Sequence, residues 1–143
     1  MGPGPDATFV LPVADDEAFW VGLSTEAAAP LRVSLLAELA GAGAVDALSG
    51  EPANIRAPRV VEVARFAAVP GIAAADGSRR PFARADGAFA CRSLRILLRD
   101  DMDAVLASAT VALADYATFA RLSGRAPPPT LDPEAGFKGY RLP

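Results

Sequence analysis

The chain has 143 residues, a net charge of −3, one cysteine and no histidine. That length makes one domain with room for a core. The missing histidine removes the commonest general base and zinc ligand, and a lone cysteine excludes an internal disulfide and suits a reducing compartment. No apolar run approaches the roughly 20 residues that span a bilayer. The first residues, Met1 to Asp6, carry neither a basic region nor an apolar signal segment. A cytoplasmic location without membrane contact is therefore expected.

Apolar residues make up 52% of the chain, but much of this is alanine, which buries little area. The few large aromatics, Phe9, Phe19, Trp20, Phe66, Phe82 and Phe89, are expected to fill the core. Charge is unevenly spread. Residues 1–55 hold eight acids and one base, residues 56–99 nine arginines and three acids, and residues 100–143 six acids and four bases. Either acidic and basic strands neutralise each other across the fold, or the arginines form a surface that receives an acidic group.

In chain order, residues 1–7 are proline- and glycine-rich and expected to be loose. Thr8 to Val13 is an apolar run interrupted by Pro12, which fits an edge strand or a strand end. After a turn at Asp15-Asp-Glu17, Ala18 to Ser24 alternates as a strand, with Phe19 and Val21 on one face and Trp20 on the other. A tryptophan on the second face means partial burial there or a binding surface. Leu31 to Leu39 fits a strand, with 31, 33, 35, 37 and 39 all apolar. A helix starting at Pro30 is the other reading, and Val33 favours the strand. Ala40-Gly-Ala-Gly43 is then a turn and Ala44 to Leu48 a return strand. Asn54 to Pro58 is a loop, and Arg59 to Phe66 a further strand with Val61 and Val63 inward. Residues 67–88, with turn pairs Pro70-Gly71 and Asp76-Gly77, make a long connection of the kind that is often functional or mobile.

The chain is expected to be organised around residues 91–124. Leu94, Ile96 and Leu98 alternate with Ser93, Arg95 and Arg99, the period of a half-buried strand; Leu97 breaks the polar side. Asp100-Asp-Met-Asp103 resembles a helix N-cap. From Met102 onward Val105, Leu106, Ala109, Leu113, Tyr116, Ala117 and Ala120 recur at helical spacing. With Arg121 in the last turn and Gly124 at its end, this predicts a helix of about six turns. Residues 125–143 follow as an extended proline-rich arm. Phe137, Tyr140 and Leu142 near its end are candidate interface residues, docking on the chain's own sheet or on a neighbouring subunit.

No nucleotide-binding glycine motif is present. Asp100, Asp101 and Asp103 are better explained as a cap than as a metal site, and Cys91 as a buried apolar group than as a nucleophile. No catalytic residue, metal or cofactor is assigned. The remaining feature is a set of arginines, Arg79, Arg80 and Arg84 in the long connection and Arg92, Arg95 and Arg99 on the strand, whose forks suit carboxylates and phosphates. Nucleic acid is not expected, because the chain is acidic, with one lysine.

The expected fold is a single α+β domain. Five or six short strands form an antiparallel sheet, or a small β-sandwich, with one long C-terminal helix packed on it. The leading functional expectation is a non-catalytic accessory subunit or self-associating interaction module, with a homodimer or another protein as partner. The alternative is a binder or enzyme for a small anionic ligand, using Arg79, Arg80, Arg84, Arg92 and Arg95.

Overall fold

The computed structural model of the protein describes residues 6–26, 28–53, 59–74, 76–85 and 87–125. Its frame is a six-stranded mixed sheet. The long strands are β1 (Asp6–Pro12), β4 (Leu31–Leu39), β11 (Cys91–Arg99) and β12 (Val105–Ala114), with the shorter β5 (Gly43–Asp46) and β6 (Val61–Val63). In spatial order they run β1-β12-β11-β4-β5, and β6 pairs the other half of β4. All pairings in this sheet are antiparallel except β1 with β12, which is parallel. The expected purely antiparallel sheet is thus corrected to a mixed one.

The strands at 31–39 and 91–99 lie where the sequence places them, and their alternation sets the faces. Val33, Leu35, Ala37 and Leu39 of β4 stand beside Leu98, Ile96, Leu94 and Cys91 of β11. Leu94 and Ile96 in turn stand beside Val111 and Ala109 of β12. Three two-stranded ladders cover this face: β2 (Ala18–Phe19) with β10 (Phe82–Ala83), β3 (Val21–Ser24) with β7 (Phe66–Val69), and β8 (Ile72–Ala73) with β9 (Arg79–Arg80). Val21, Val69, Ile72 and Phe82 from the ladders join Leu35, Ala37, Leu39, Leu94 and Val111 in one buried cluster. Phe19 stacks on Phe82, ring centroids 5.4 Å apart. The long 67–88 connection is therefore mostly the second layer of the core.

The aromatic expectation is corrected as well. Phe82 is fully buried, but Phe9, Trp20, Phe66 and Phe89 are exposed. Leucine, valine and alanine on paired strands fill the core in their place.

The largest correction concerns residues 100–123. Helix is confined to α1 (Tyr116–Ser123), and residues 105–114 are strand. Asp100 does not start a helix. Its carboxylate accepts from the N–H groups of Met102 and Ala104, its own N–H donates to the Ala104 carbonyl, and Asp103 takes a left-handed φ of 63°. Aspartate tolerates that region and favours such local turns, so the acidic run closes a β-hairpin. The alanines of 104–114 fit either periodicity. Thr110 and Val111 are β-branched and favour the strand, and the inner backbone groups of β11 need a second neighbour. The C-terminal end fits the sequence, Gly124 terminating α1 at φ 68°, whereas the start does not: Asp115, inside the expected helix, caps α1 through Thr118 N–H at 2.6 Å. The arm at 126–143 lies outside the described residues.

Two substitutions separate strand from helix here. Leu35→Ala, at the centre of the core, is expected to lower unfolding free energy by about 2–5 kcal/mol. Leu106→Ala, on the stripe of a helix but 47% exposed on β12, is expected to change it by less than about 0.5 kcal/mol. Urea denaturation of both variants checks this; a large loss at Leu106 would contradict the strand.

Candidate functional site

The structure distributes the arginines rather than gathering them. Arg79 donates to the carbonyls of Ala47 at 3.3 Å and Gly71 at 3.1 Å, tying the second layer to the sheet. Arg84 donates from Nε to the Val13 carbonyl at 2.7 Å and pairs with Asp15. The Arg80 guanidinium lies 3.8 Å from the ring centroid of Phe89, a cation–π contact. Arg92 sits in a bulge of β11, where Cys91 and Ser93 face consecutive residues of β4. It points outward and is exposed. Arg95 is exposed, on the sheet face opposite the one that the ladders cover. Phe137, Tyr140 and Leu142 lie outside the described residues.

Arg99 belongs to a separate cluster on that second face, where Ser34 and Leu97 are buried. It stands directly opposite Arg32 on β4, a like-charge pairing that costs energy unless bridged. The hairpin turn bridges it. Asp103 accepts from Arg32 through its carboxylate at 2.7 Å and from Arg99 through its carbonyl at 2.7 Å. Arg99 Nε donates to the buried Ser34 hydroxyl at 2.6 Å. The hydrogen bond to Asp103 holds the Arg32 pKa above its ordinary value. These arginines are the clasp of the β11–β12 hairpin.

The carboxylates are similarly engaged. Glu17 accepts from the Ala14 N–H and from the Tyr116 hydroxyl at 2.6 Å, joining the N-terminal turn to α1. Asp46 accepts from the backbone N–H groups of Leu48 and Arg59. Among the described residues no group of three or more histidine, cysteine or carboxylate side chains is placed to hold a metal, and no helix is long and apolar enough to cross a membrane.

A different surface is assembled by the β3–β7 ladder. Its inward residues, Val21 and Val69, are paired and buried. Its outward side carries Trp20 and Phe66, which meet edge to face at 6.3 Å between centroids and 83° between planes. Gly22 makes this possible. A Cβ there would lie 2.8 Å from Trp20 Cζ3 and 3.3 Å from Phe66 Cε2, so the indole rests on the bare backbone. Phe66 is 61% exposed and Trp20 37%. The Thr25 N–H closes the ladder onto the Arg65 carbonyl at 3.0 Å. There an open groove of about 610 Å³ begins, lined by Thr25, Glu26, Ala28, Pro30, Ala64 and Arg65. It presents both charge signs and differs from the expected arginine-lined pocket. The lone tryptophan on the outer face of a strand was the sequence signal for this surface. Phe66, read from composition as a core residue, carried none.

No family model, no curated protein and no solved structure matches the chain. The geometry alone therefore bears on what the protein does.

Cys91 provides a chemical check on the core. It is fully buried on β11, and burial pushes its thiol from 9.0 up to about 11. It is expected to resist a maleimide at pH 8 in the folded protein and to react fully in denaturant. Because the folded pKa is the higher one, the neutral-thiol contribution is complete below pH 9 and is lost as pH rises towards 11. Urea midpoints of the wild type should fall through that window by more than those of Cys91→Ala. A parallel decline in both proteins would contradict the assignment.

Proposed function

We propose that this chain is a non-catalytic interaction module that docks a partner protein on the Trp20–Phe66 face and the adjoining groove. The observation that carries the reading is the aromatic pair itself. Two large rings stay in an interlocked geometry at the surface, on a ladder whose other side is buried core. Exposed aromatic groups on a rigid support are the common energetic centre of protein interfaces, where they contribute by being desolvated in a complementary pocket. The β-ladder holds them without the entropy cost of ordering a loop on binding. Polar groups of Thr25, Glu26 and Arg65 would form the rim, giving orientation and specificity to an apolar centre.

The commitments of Arg79, Arg84 and Arg99 to backbone and hydroxyl acceptors favour this reading over an anion-binding surface. The buried, neutral thiol of Cys91 favours it over cysteine chemistry.

The test is site-specific photocrosslinking in the producing cell, with a photoreactive phenylalanine in place of Phe66 and, as a control, of Arg95. A discrete crosslinked protein is expected at 66 and not at 95. Trp20→Ala and Gly22→Ala are expected to abolish it while leaving the far-ultraviolet circular dichroism unchanged. In the purified pair, Trp20→Ala should weaken binding by about 2 kcal/mol, close to thirtyfold. Equal, diffuse labelling at both positions would remove the reading.

A further inference from the structure

The two edges of the main sheet are finished differently. At one, β5 is only four residues long, and a returning segment covers it. Asp46 N–H donates to the Glu51 carbonyl, Ala53 N–H donates to the Ala44 carbonyl, and Val45 bridges to Pro52. At the other, β1 is seven residues long, and among the described residues its only ladder is the one with β12. Ala7 to Leu11 carries no charge. Edge strands are ordinarily protected by charge, bulges or a covering segment, because an open one templates further pairing.

The orientation of the open groups follows from one hydrogen bond. The Val13 N–H donates to the Ala114 carbonyl at 2.8 Å, on the β12 side. Backbone groups alternate along a strand, so Ala7, Phe9 and Leu11 also bond towards β12, and Asp6, Thr8, Val10 and Pro12 turn theirs outward. Pro12 thus sits where its lack of an N–H leaves the internal ladder intact, the position proline takes on edges.

From this we infer that β1 pairs antiparallel with β1 of a second copy, about a two-fold axis at Phe9, joining two sheets into one. This goes beyond the aromatic docking face and does not depend on it. In that register Thr8 and Val10 of one copy exchange N–H and carbonyl bonds with Val10 and Thr8 of the other. The Asp6 N–H meets the Pro12 carbonyl, while the Asp6 carbonyl, opposite the proline nitrogen at the end of the pairing, is left to solvent. Phe9, 40% exposed, faces its own copy in a non-hydrogen-bonded pair, the closer kind, where aromatic side chains reinforce each other. The antiparallel arrangement sends the two Asp6 carboxylates to opposite ends of the pairing; a parallel one would set like charges side by side. Self-pairing is favoured over a foreign strand because the two-fold register sets the exposed Phe9 against its own copy, covering on both chains the large apolar side chain that the edge displays.

A single strand pair is a small interface, so a concentration-dependent dimer is expected. Light scattering on the full chain, from low micromolar to a few hundred micromolar, should show the mass rising from 14.7 kDa towards twice that value. Val10→Pro removes an outward N–H without touching the β12 ladder. It should stay at the single-chain mass with an unfolding midpoint close to wild type. Phe9→Cys should form a disulfide dimer under mild oxidation, since the closest antiparallel pairs lie within disulfide reach, and buried Cys91 does not compete. A wild type that remains monomeric throughout overturns the inference. So does a folded Val10→Pro that dimerises like wild type, which would place self-association elsewhere and leave the docking face untouched. Should Val10→Pro fail to fold, the Phe9→Cys result decides: no crosslink overturns the pairing.

Discussion

Backbone hydrogen bonding along β11 is the constraint on which the rest of the structure depends. This strand lies inside the sheet, with β4 on one side and β12 on the other, and its residues are largely buried at Cys91, Leu94 and Leu97. Buried N–H and carbonyl groups must be paired, and water cannot serve them there. Residues 105–114 therefore complete a ladder rather than coil into a helix. Once they do, the parallel addition of β1 to β12, the mixed sheet and the position of α1 beyond Ala114 all follow.

Electrostatics is subordinate to that frame. The expected neutralisation of the arginine-rich middle by the acidic flanks is represented by Arg84 with Asp15, whereas Arg32, the one base of the acidic first block, pairs with Asp103 and Glu62. Several guanidiniums bond to carbonyl oxygens instead, as Arg79 does at Ala47 and Gly71. A guanidinium has five donors and a long apolar stem, so it can reach across layers and satisfy acceptors that the short ladders leave open. In this small domain arginine does the work of stitching a second layer of two-residue strands onto a long-stranded sheet.

The surfaces that carry the functional proposals arise from the same layering. The β3–β7 ladder is thin, and whatever its core side does not bury, it displays. Trp20 and Phe66 are displayed in this way, with Gly22 as the seat. Among the described residues no segment continues the sheet beyond β1, which is first in sequence and outermost in strand order. One surface is built from side chains and the other from backbone, so they suit different partners.

Much of the fold is legible from residues 91–99, where large aliphatics alternate with polar groups, and from 31–39, where a helical stripe is the other reading and Val33 favours the pleated strand. The terminating Gly124, the turn at Gly43 and the edge character of the Pro12 segment are local matters of φ and of missing donors, and sequence determines them without help, whereas Asp115, which falls inside the expected long helix, becomes a cap only because residues 105–114 are strand. The state of residues 104–114 is of another kind. Alanine is compatible with both periodicities, and Asp100-Asp-Met-Asp103 can cap a helix or close a hairpin with the same carboxylates. Only the partner strand distinguishes them. The exposure of Phe66 and the burial of Phe82 were likewise decided by tertiary structure, because a phenylalanine in a short strand is equally hydrophobic on either face and only the layer packed against that strand determines which face meets water.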